Sequence, residues 1–207
     1  ELAARHPDHA AEIDLVARCG AALPSVLDGT RDPLELLFGG EGAHGAYRAS
    51  PLAAHLNAIA AAVARGARPA RVIEIGGGTG ATTSALHPAL PARSDYLFTD
   101  LSPAFLAAAE QRFGVRTAPL DIMRDPAAQG IETGAWDLVV AANVLHATPD
   151  LARAVRHAVG LLAPGGRLLL VEGTAALARL DITFGLTEAW TRQDDRALRP
   201  CHPLIDA

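Results

Sequence analysis

The chain has 207 residues, 50% of them hydrophobic, and a net charge of −5, enough for one substantial core with a small accessory segment. All 18 basic residues are arginine; the absence of lysine excludes a Schiff-base mechanism and a Walker-type phosphate loop, and the scattered arginines form no basic stripe for nucleic acid. Cys19 and Cys201 make no C-x-x-C pair, so no iron–sulfur cluster, zinc site or disulfide scaffold is indicated, and inert thiols in a reducing compartment are expected.

No apolar run reaches membrane-spanning length and no signal peptide is visible, which points to a cytoplasmic chain without a membrane partner. The start at Glu1 and the end at Ala207 in mid-pattern read as the limits of a domain within a longer polypeptide.

Residues 1–70 form a helical segment. Asp8 can cap a helix through Leu23 that Pro24 ends, Asp32-Pro33 can open a short leucine-rich turn to Phe38, and Ser50-Pro51 can open a helix closed at Gly66. Between the last two lies Gly39 to Gly45, which carries four glycines and is expected to be among the most mobile stretches. Just beyond it, Tyr47 and Asn57 can face an acceptor, or serve as ordinary surface or helix-packing residues.

From residue 71 the pattern changes to alternating strands and helices, the signature of a doubly wound, mostly parallel α/β sheet covered on both faces. The first strand runs Val72-Ile73-Glu74-Ile75 into Gly76-Gly77-Gly78-Thr79-Gly80, a turn in which backbone N–H groups can approach a ligand closely, and a helix follows to Leu86. Gly76, Gly78 and Ala81 also satisfy the dinucleotide pattern G-x-G-x-x-A, so a nicotinamide or flavin site competes here with S-adenosylmethionine.

The second strand, Tyr96 to Thr99, ends in Asp100, positioned to hold a ribose diol. Leu101-Ser102-Pro103 then supplies a cap and first-turn proline for a helix that Gly114 stops after Phe113. The third strand, Val115 to Leu120, ends in a second acid, Asp121, followed by Ile122-Met123. Two acids on successive strand ends suit an adenosine lying across the sheet edge. Glu74 would add a carboxylate beside the glycines, where a sulfonium-bearing amino acid places positive charge and a dinucleotide places an anionic pyrophosphate, so electrostatics favours the methyl donor.

The fourth strand, Trp136 to Ala142, leads into Asn143-Val144-Leu145-His146-Ala147-Thr148; Thr148-Pro149 can cap the next helix, and Pro164-Gly165-Gly166 can form its exit turn into a fifth strand, Arg167 to Glu172. Ligands in such sheets bind at the carboxyl ends of the strands, near the reversal of strand order. His146 and Glu172 both fall there and make a plausible general base and its orienter. Residues 174–207 contain no convincing strand, so a closing antiparallel pair is expected to be missing.

Five strings together carry a resemblance: Val72 to Gly80, Phe98-Thr99-Asp100-Leu101-Ser102-Pro103, Leu120-Asp121-Ile122, Ala142-Asn143-Val144-Leu145-His146-Ala147-Thr148 and Asp181-Ile182-Thr183-Phe184-Gly185-Leu186. The chain resembles the methyltransferase domains embedded in modular type I polyketide synthases, members of the class I methyltransferase superfamily. The resemblance implies a Rossmann-like core over 71–207 behind a helical lid at 1–70, with S-adenosyl-L-methionine as cofactor and no metal. Gly76, Gly77 and Gly78 would line its methionine part, with Glu74 in support and Asn143 closing that side. Asp100 would bind the ribose, Leu101 would pack on adenine, and Asp121 with Ile122 would contact the adenine edge. His146 would be the catalytic base and Glu172 its acidic partner.

The implied partners are an acyl carrier protein bearing a phosphopantetheine-linked polyketide and the neighbouring synthase domains. Carbon-methylating members of the family carry a longer lid than the one here, which tilts the expectation slightly toward O-methylation of a β-oxygen, with C-methylation at the α-carbon of a β-ketoacyl thioester as the alternative. A non-catalytic, structural copy of the domain, a free-standing small-molecule methyltransferase and a nicotinamide-dependent reductase are the remaining readings.

Overall fold

The computed structural model describes residues 1–39 and 50–204. Gly40 to Gly45 and Tyr47, on which the expectation of a mobile loop and one acceptor-facing residue rested, lie outside the described residues. The chain forms two compact units, one of residues 1–55 with 173–207 and one of residues 56–172. The division expected at residue 70 differs from this: the boundary falls inside a helix, and the last 35 residues group with the amino-terminal segment.

The first unit is helical, with α1 (Leu2–Arg5), α2 (Ala10–Leu27), α3 (Pro33–Phe38) and the start of α4 (Pro51–Ala67), then α8 (Ala178–Asp181) and α9 (Glu188–Thr191) from the carboxyl-terminal stretch. Leu15, Cys19 and Ala22 of α2 pack with Leu36 and Leu37 of α3, and Phe184 and Leu186 cover that cluster. Burial pushes the Cys19 thiol up, which keeps it protonated.

Two boundaries move here. Asp8 does not cap α2; it sits in a 3-10 turn, Pro7–His9, and the helix begins at Ala10. Nor does Pro24 end it: the ring's fixed φ fits a helix, only the bond to the carbonyl four residues back is forfeited, and Asp28 N–H still reaches Pro24 O at 3.0 Å.

The second unit holds a five-stranded, all-parallel sheet: β1 (Arg71–Ile75), β2 (Asp95–Asp100), β3 (Arg116–Pro119), β4 (Trp136–Ala142) and β5 (Leu162–Val171), in the order β3-β2-β1-β4-β5. This is the expected doubly wound arrangement. Its central strands are apolar on both faces because both are covered. Ile73, Ile75, Val139 and Ala141 face Ala154, Ala158 and Leu161 of α7 (Leu151–Leu161). Val72, Phe98, Leu138 and Val140 face Ala60 and Ala64 of α4, Leu86 of α5 (Ala81–Leu86) and Ala109 of α6 (Pro103–Phe113). Among the described residues after β5 there is no further strand.

Three local expectations also shift. Pro164-Gly165-Gly166 is not an exit turn but an irregularity inside β5, which starts at Leu162: Trp136 pairs with Leu162 and Leu138 with Arg167, and Gly165 takes φ +80° to absorb the extra residues. α7 is capped by Asp150, whose carboxylate accepts the Arg153 N–H at 2.8 Å, while Thr148 turns back to Leu145 O. α6 does end at Gly114, in the left-handed region at φ +65°, but Ser102 makes no side-chain cap at its start.

The amino-terminal ends of β1 and β4 are joined by one carboxylate. Asp137 Oδ2 accepts both Ala70 N–H at 2.8 Å and Arg71 N–H at 2.9 Å. Asp137→Ala removes the one acceptor of both N–H groups from the strand pair that sets the middle of the sheet; chemical unfolding should show a loss of about 1–3 kcal/mol, and an unchanged midpoint would count against the clamp.

Candidate active site

The strand order reverses between β1 and β4, so the loops leaving their carboxyl ends are neighbours. The loop after β1 is the glycine turn. Gly77 N–H donates to Thr99 O at 2.9 Å and Gly80 N–H to Gly77 O at 2.9 Å, which holds the turn against β2. Gly76 and Gly78 have φ of +60° and +52°, a region side chains rarely adopt.

The glycines serve different neighbours. A Cβ at Gly76 would lie 2.7 Å from Val144 Cγ2, and one at Gly77 would overlap the Phe98 ring; one at Gly78 would meet only Gly76 O, at 3.9 Å. Protein packing therefore claims the first two, and only Gly78 has open space over it.

Asp100 closes β2 and binds that turn. It is 9% exposed, with Oδ2 accepting Gly78 N–H at 2.9 Å and Oδ1 accepting Ser102 N–H at 2.8 Å. Leu101 beside it stands 70% exposed, an apolar surface on the same edge. After β3, Asp121 Oδ1 accepts Met123 N–H at 2.9 Å, and Ile122 is buried in the core cluster beneath. After β4, Asn143 adopts φ +55°, which Asn tolerates better than most residues, and its N–H donates to Val171 O at 2.7 Å.

The turn Leu145–Ala147 presents His146, whose Nδ1 is hydrogen-bonded to Glu172 Oε2. The other oxygen of Glu172 accepts Val144 N–H at 3.0 Å and Leu145 N–H at 2.8 Å. The two side chains are only 13% and 18% exposed. An ionised carboxylate can only accept, so Nδ1 carries the proton and Nε2 is the basic nitrogen of the ring. The arrangement can take a proton at Nε2 and hold the resulting charge against Glu172.

Glu74 departs from the expectation that it would stand beside the glycines and face a positive charge. It is 1% exposed, on the strand face that packs under α5, where it accepts from Thr83 Oγ1 at 2.6 Å and Tyr96 hydroxyl at 2.7 Å. Burial pushes its carboxyl above the usual range, partly offset by those two hydrogen bonds. The period of two in a strand puts Glu74 on the opposite face from Ile73 and Ile75, inside the layer. Its support for the turn is indirect, through α5 and through its own carbonyl, which accepts Thr99 Oγ1 at 2.7 Å.

Asn57, the other candidate acceptor contact, has its side-chain oxygen taken by Thr82 Oγ1 at 3.0 Å. Asp181, at the head of the last of the five strings, belongs to the other unit, where Oδ1 accepts Trp190 Nε1–H at 3.0 Å and pairs with His202 Nε2 at 3.0 Å. Sequence reasoning misses Thr83, Tyr96 and Thr99; a buried acid on a central strand is the signal that could have found them, since such a group must have donors.

Residues 73–168 match the family model described as Methyltransferase domain. Polyketide synthase ThaQ from Burkholderia thailandensis is 38% identical over 215 residues, covering 93% of the chain and 10% of that protein. The crystal structure of CurJ carbon methyltransferase superposes with a TM-score of 0.93 at 38% identity, covering 99% of the chain and 58% of its own. The chain is an S-adenosylmethionine-dependent methyltransferase domain of the polyketide synthase kind. It spans a tenth of ThaQ and 58% of the CurJ chain. The trans-methyltransferase CalH, crystallised in complex with SAH, aligns with a TM-score of 0.83 at 30% identity, covering 96% of the methyltransferase domain and 58% of its own chain.

S-adenosylmethionine is the cofactor of this methyltransferase domain. The residues present fit it: Gly78 offers an open backbone cradle, and Asp100 and Asp121 put carboxylates on the same sheet edge for hydroxyl and amino donors.

The buried acid gives a signed pH effect. Because burial raises its carboxyl in the folded state, the stability Glu74 contributes is full below the ordinary carboxylate pKa and is lost as pH rises through the raised value. Unfolding midpoints between about pH 4 and 8 should show the native methyltransferase domain losing stability relative to Glu74→Gln as pH rises; a gap that stays constant would contradict the assignment.

Proposed function

We propose that the domain transfers a methyl group to the α-carbon of a β-ketoacyl thioester carried on the phosphopantetheine arm of an acyl carrier protein, with neighbouring synthase domains supplying and receiving the chain. The observation that carries this reading is the His146–Glu172 pair, an imidazole whose tautomer is set by a carboxylate that is itself held by two backbone N–H groups. The likeness to CurJ, described as a carbon methyltransferase, supports carbon as the acceptor. It outweighs the tilt toward oxygen, which rested on the length of the lid segment alone.

When bound, S-adenosylmethionine supplies a methyl group already made electrophilic by its sulfonium. Asp100 holds the ribose diol, and its bond to Gly78 N–H keeps the glycine turn in the shape that receives the methionine part. Leu101 lies on adenine, Asp121 and Ile122 meet its edge, and Asn143 closes the methionine side. His146 Nε2 removes the α-proton of the β-ketoacyl group, leaving the carbon nucleophilic. Glu172 keeps the proton on Nδ1 beforehand and stabilises the imidazolium afterwards. No part of this needs a metal.

Intact-protein mass spectrometry tests it, with carrier proteins bearing β-ketoacyl, α,α-dimethyl-β-ketoacyl and β-hydroxyacyl chains. The first should gain one methyl and the other two none. His146→Ala should slow transfer by about 100- to 10,000-fold and leave affinity for S-adenosylhomocysteine within about threefold, because the imidazole acts on the acceptor; Glu172→Gln should cost less. Asp100→Ala should weaken cofactor binding by about 1–3 kcal/mol. Methylation of the β-hydroxyacyl or dimethylated chain would assign transfer to oxygen, and full activity in His146→Ala would remove the base.

A further inference from the structure

Asp121 and Ile122 lie in the connection from β3 to β4, where residues 120–135 contain only a three-residue 3-10 turn, Ala127–Gln129. Neither residue is part of a helix or strand. A turn bond from Arg124 N–H reaches Asp121 O at 3.0 Å, and one carboxamide takes both polar groups of that residue: Gln129 Oε1 accepts Asp121 N–H at 2.8 Å, and Gln129 Nε2 donates to Asp121 O at 2.9 Å, sharing its hydrogens with Asp125 O at 3.2 Å and Arg124 O at 3.3 Å. The side-chain amide takes the place that a neighbouring strand's peptide would occupy in a sheet, gripping both polar groups of residue 121.

The grip has a consequence for the carboxylate. With the peptide of Asp121 fixed, Oδ1 turns back to Met123 N–H at 2.9 Å, and Oδ2 has no protein donor among the described residues. The carbonyl of the next residue, Ile122 O, is taken by His157 Nδ1 at 2.6 Å from α7. Asp121 Oδ2 is thus the acceptor that the loop presents to a ligand. An exocyclic amino group is the complement of such an acceptor, and a carbonyl oxygen in the same place would be repelled.

We infer that Gln129 is the positioning residue that gives the donor pocket its preference for an amino-bearing purine, by holding the Asp121 peptide from both sides so that the carboxylate meets the amino edge of adenine. This rests on the reading above that Asp121 and Ile122 hold the adenine. Gln129 itself touches no ligand. Without its amide, the Asp121 N–H loses its partner and Asp121 O keeps only the turn bond from Arg124 N–H at 3.0 Å, so part of the ordering of the loop must be supplied at each binding event.

Calorimetry with S-adenosylhomocysteine and S-inosylhomocysteine, which carries an oxygen in place of the amino group, separates the possibilities on the whole chain. The native domain should prefer the adenosyl ligand by about tenfold or more. Asp121→Ala should abolish that preference, and Gln129→Ala should reduce it to within about threefold. Should Gln129→Ala fail to fold, Gln129→Glu keeps an acceptor for Asp121 N–H but removes the side-chain donor to Asp121 O, and it should lose the preference likewise. If Asp121→Ala abolishes the preference while the Gln129 variants keep it, the positioning role is overturned and the adenine reading stands. An equal loss of affinity for both ligands in the Gln129 variants, with the ratio intact, would reduce Gln129 to a structural prop. If the native domain shows no preference, or Asp121→Ala retains it, the adenine reading itself fails.

Discussion

Both oxygens of Glu172 are committed. One takes the N–H groups of Val144 and Leu145, the other takes Nδ1 of His146, and the neighbouring backbone bond from Asn143 N–H to Val171 O closes the same corner. A carboxylate at the end of one strand therefore shapes the whole loop that leaves the adjacent strand. Two backbone donors make the acid a fixed object, and a fixed acid makes the imidazole a fixed object in turn. Gly76 belongs to the same chain of constraints, because Val144, held by Glu172, sits where a Cβ at Gly76 would be. The glycine turn and the loop that carries His146 are thus built against each other.

Carboxylates meet three fates along this sheet according to position. Glu74, in mid-strand, is enclosed by the α5 layer and is satisfied by Thr83 and Tyr96, so it works as internal structure. Asp100, at the last position of β2, is buried, and its two oxygens tie the glycine turn and Ser102 N–H to the strand end. Asp121 lies past the end of its strand, where its own turn bonds to Met123 and Arg124 N–H are supplemented by the Gln129 amide. An acid in mid-strand is enclosed by the covering layer, and acids at or past the strand ends come to the edge where sheets of this kind bind ligands.

Much of this was legible in the residues. Near-continuous apolar runs bounded by Gly, Pro and acidic residues place the five strands within a few residues, and Asp32-Pro33 and Gly114 mark real helix limits because their chemistry acts locally. The juxtaposition of His146 and Glu172 also follows from topology, since adjacent strand ends bring their loops together. What failed depends on partners far away in sequence. Glu74 reads as a site acid because it adjoins the glycines, but which strand face is enclosed is decided by α5 and β2. Pro164-Gly165-Gly166 reads as a turn because the same residues serve in turns and bulges, and pairing with β4 selects between them. Asp150 rather than Thr148 is the cap because the helix starts at Leu151, which puts the Asp150 carboxylate in reach of Arg153 N–H.

In the proposed reaction the His146–Glu172 pair acts on an acidic carbon before any methyl group moves. Deuterium exchange reads that act alone: a carrier protein bearing a β-ketoacyl thioester is incubated with the domain and S-adenosylhomocysteine in heavy water, and label at the α-carbon is followed by mass spectrometry. Exchange should be faster than the carrier's own background with the native domain, at background with His146→Ala, and intermediate with Glu172→Gln. Exchange at equal rates in the native and His146→Ala proteins would contradict it.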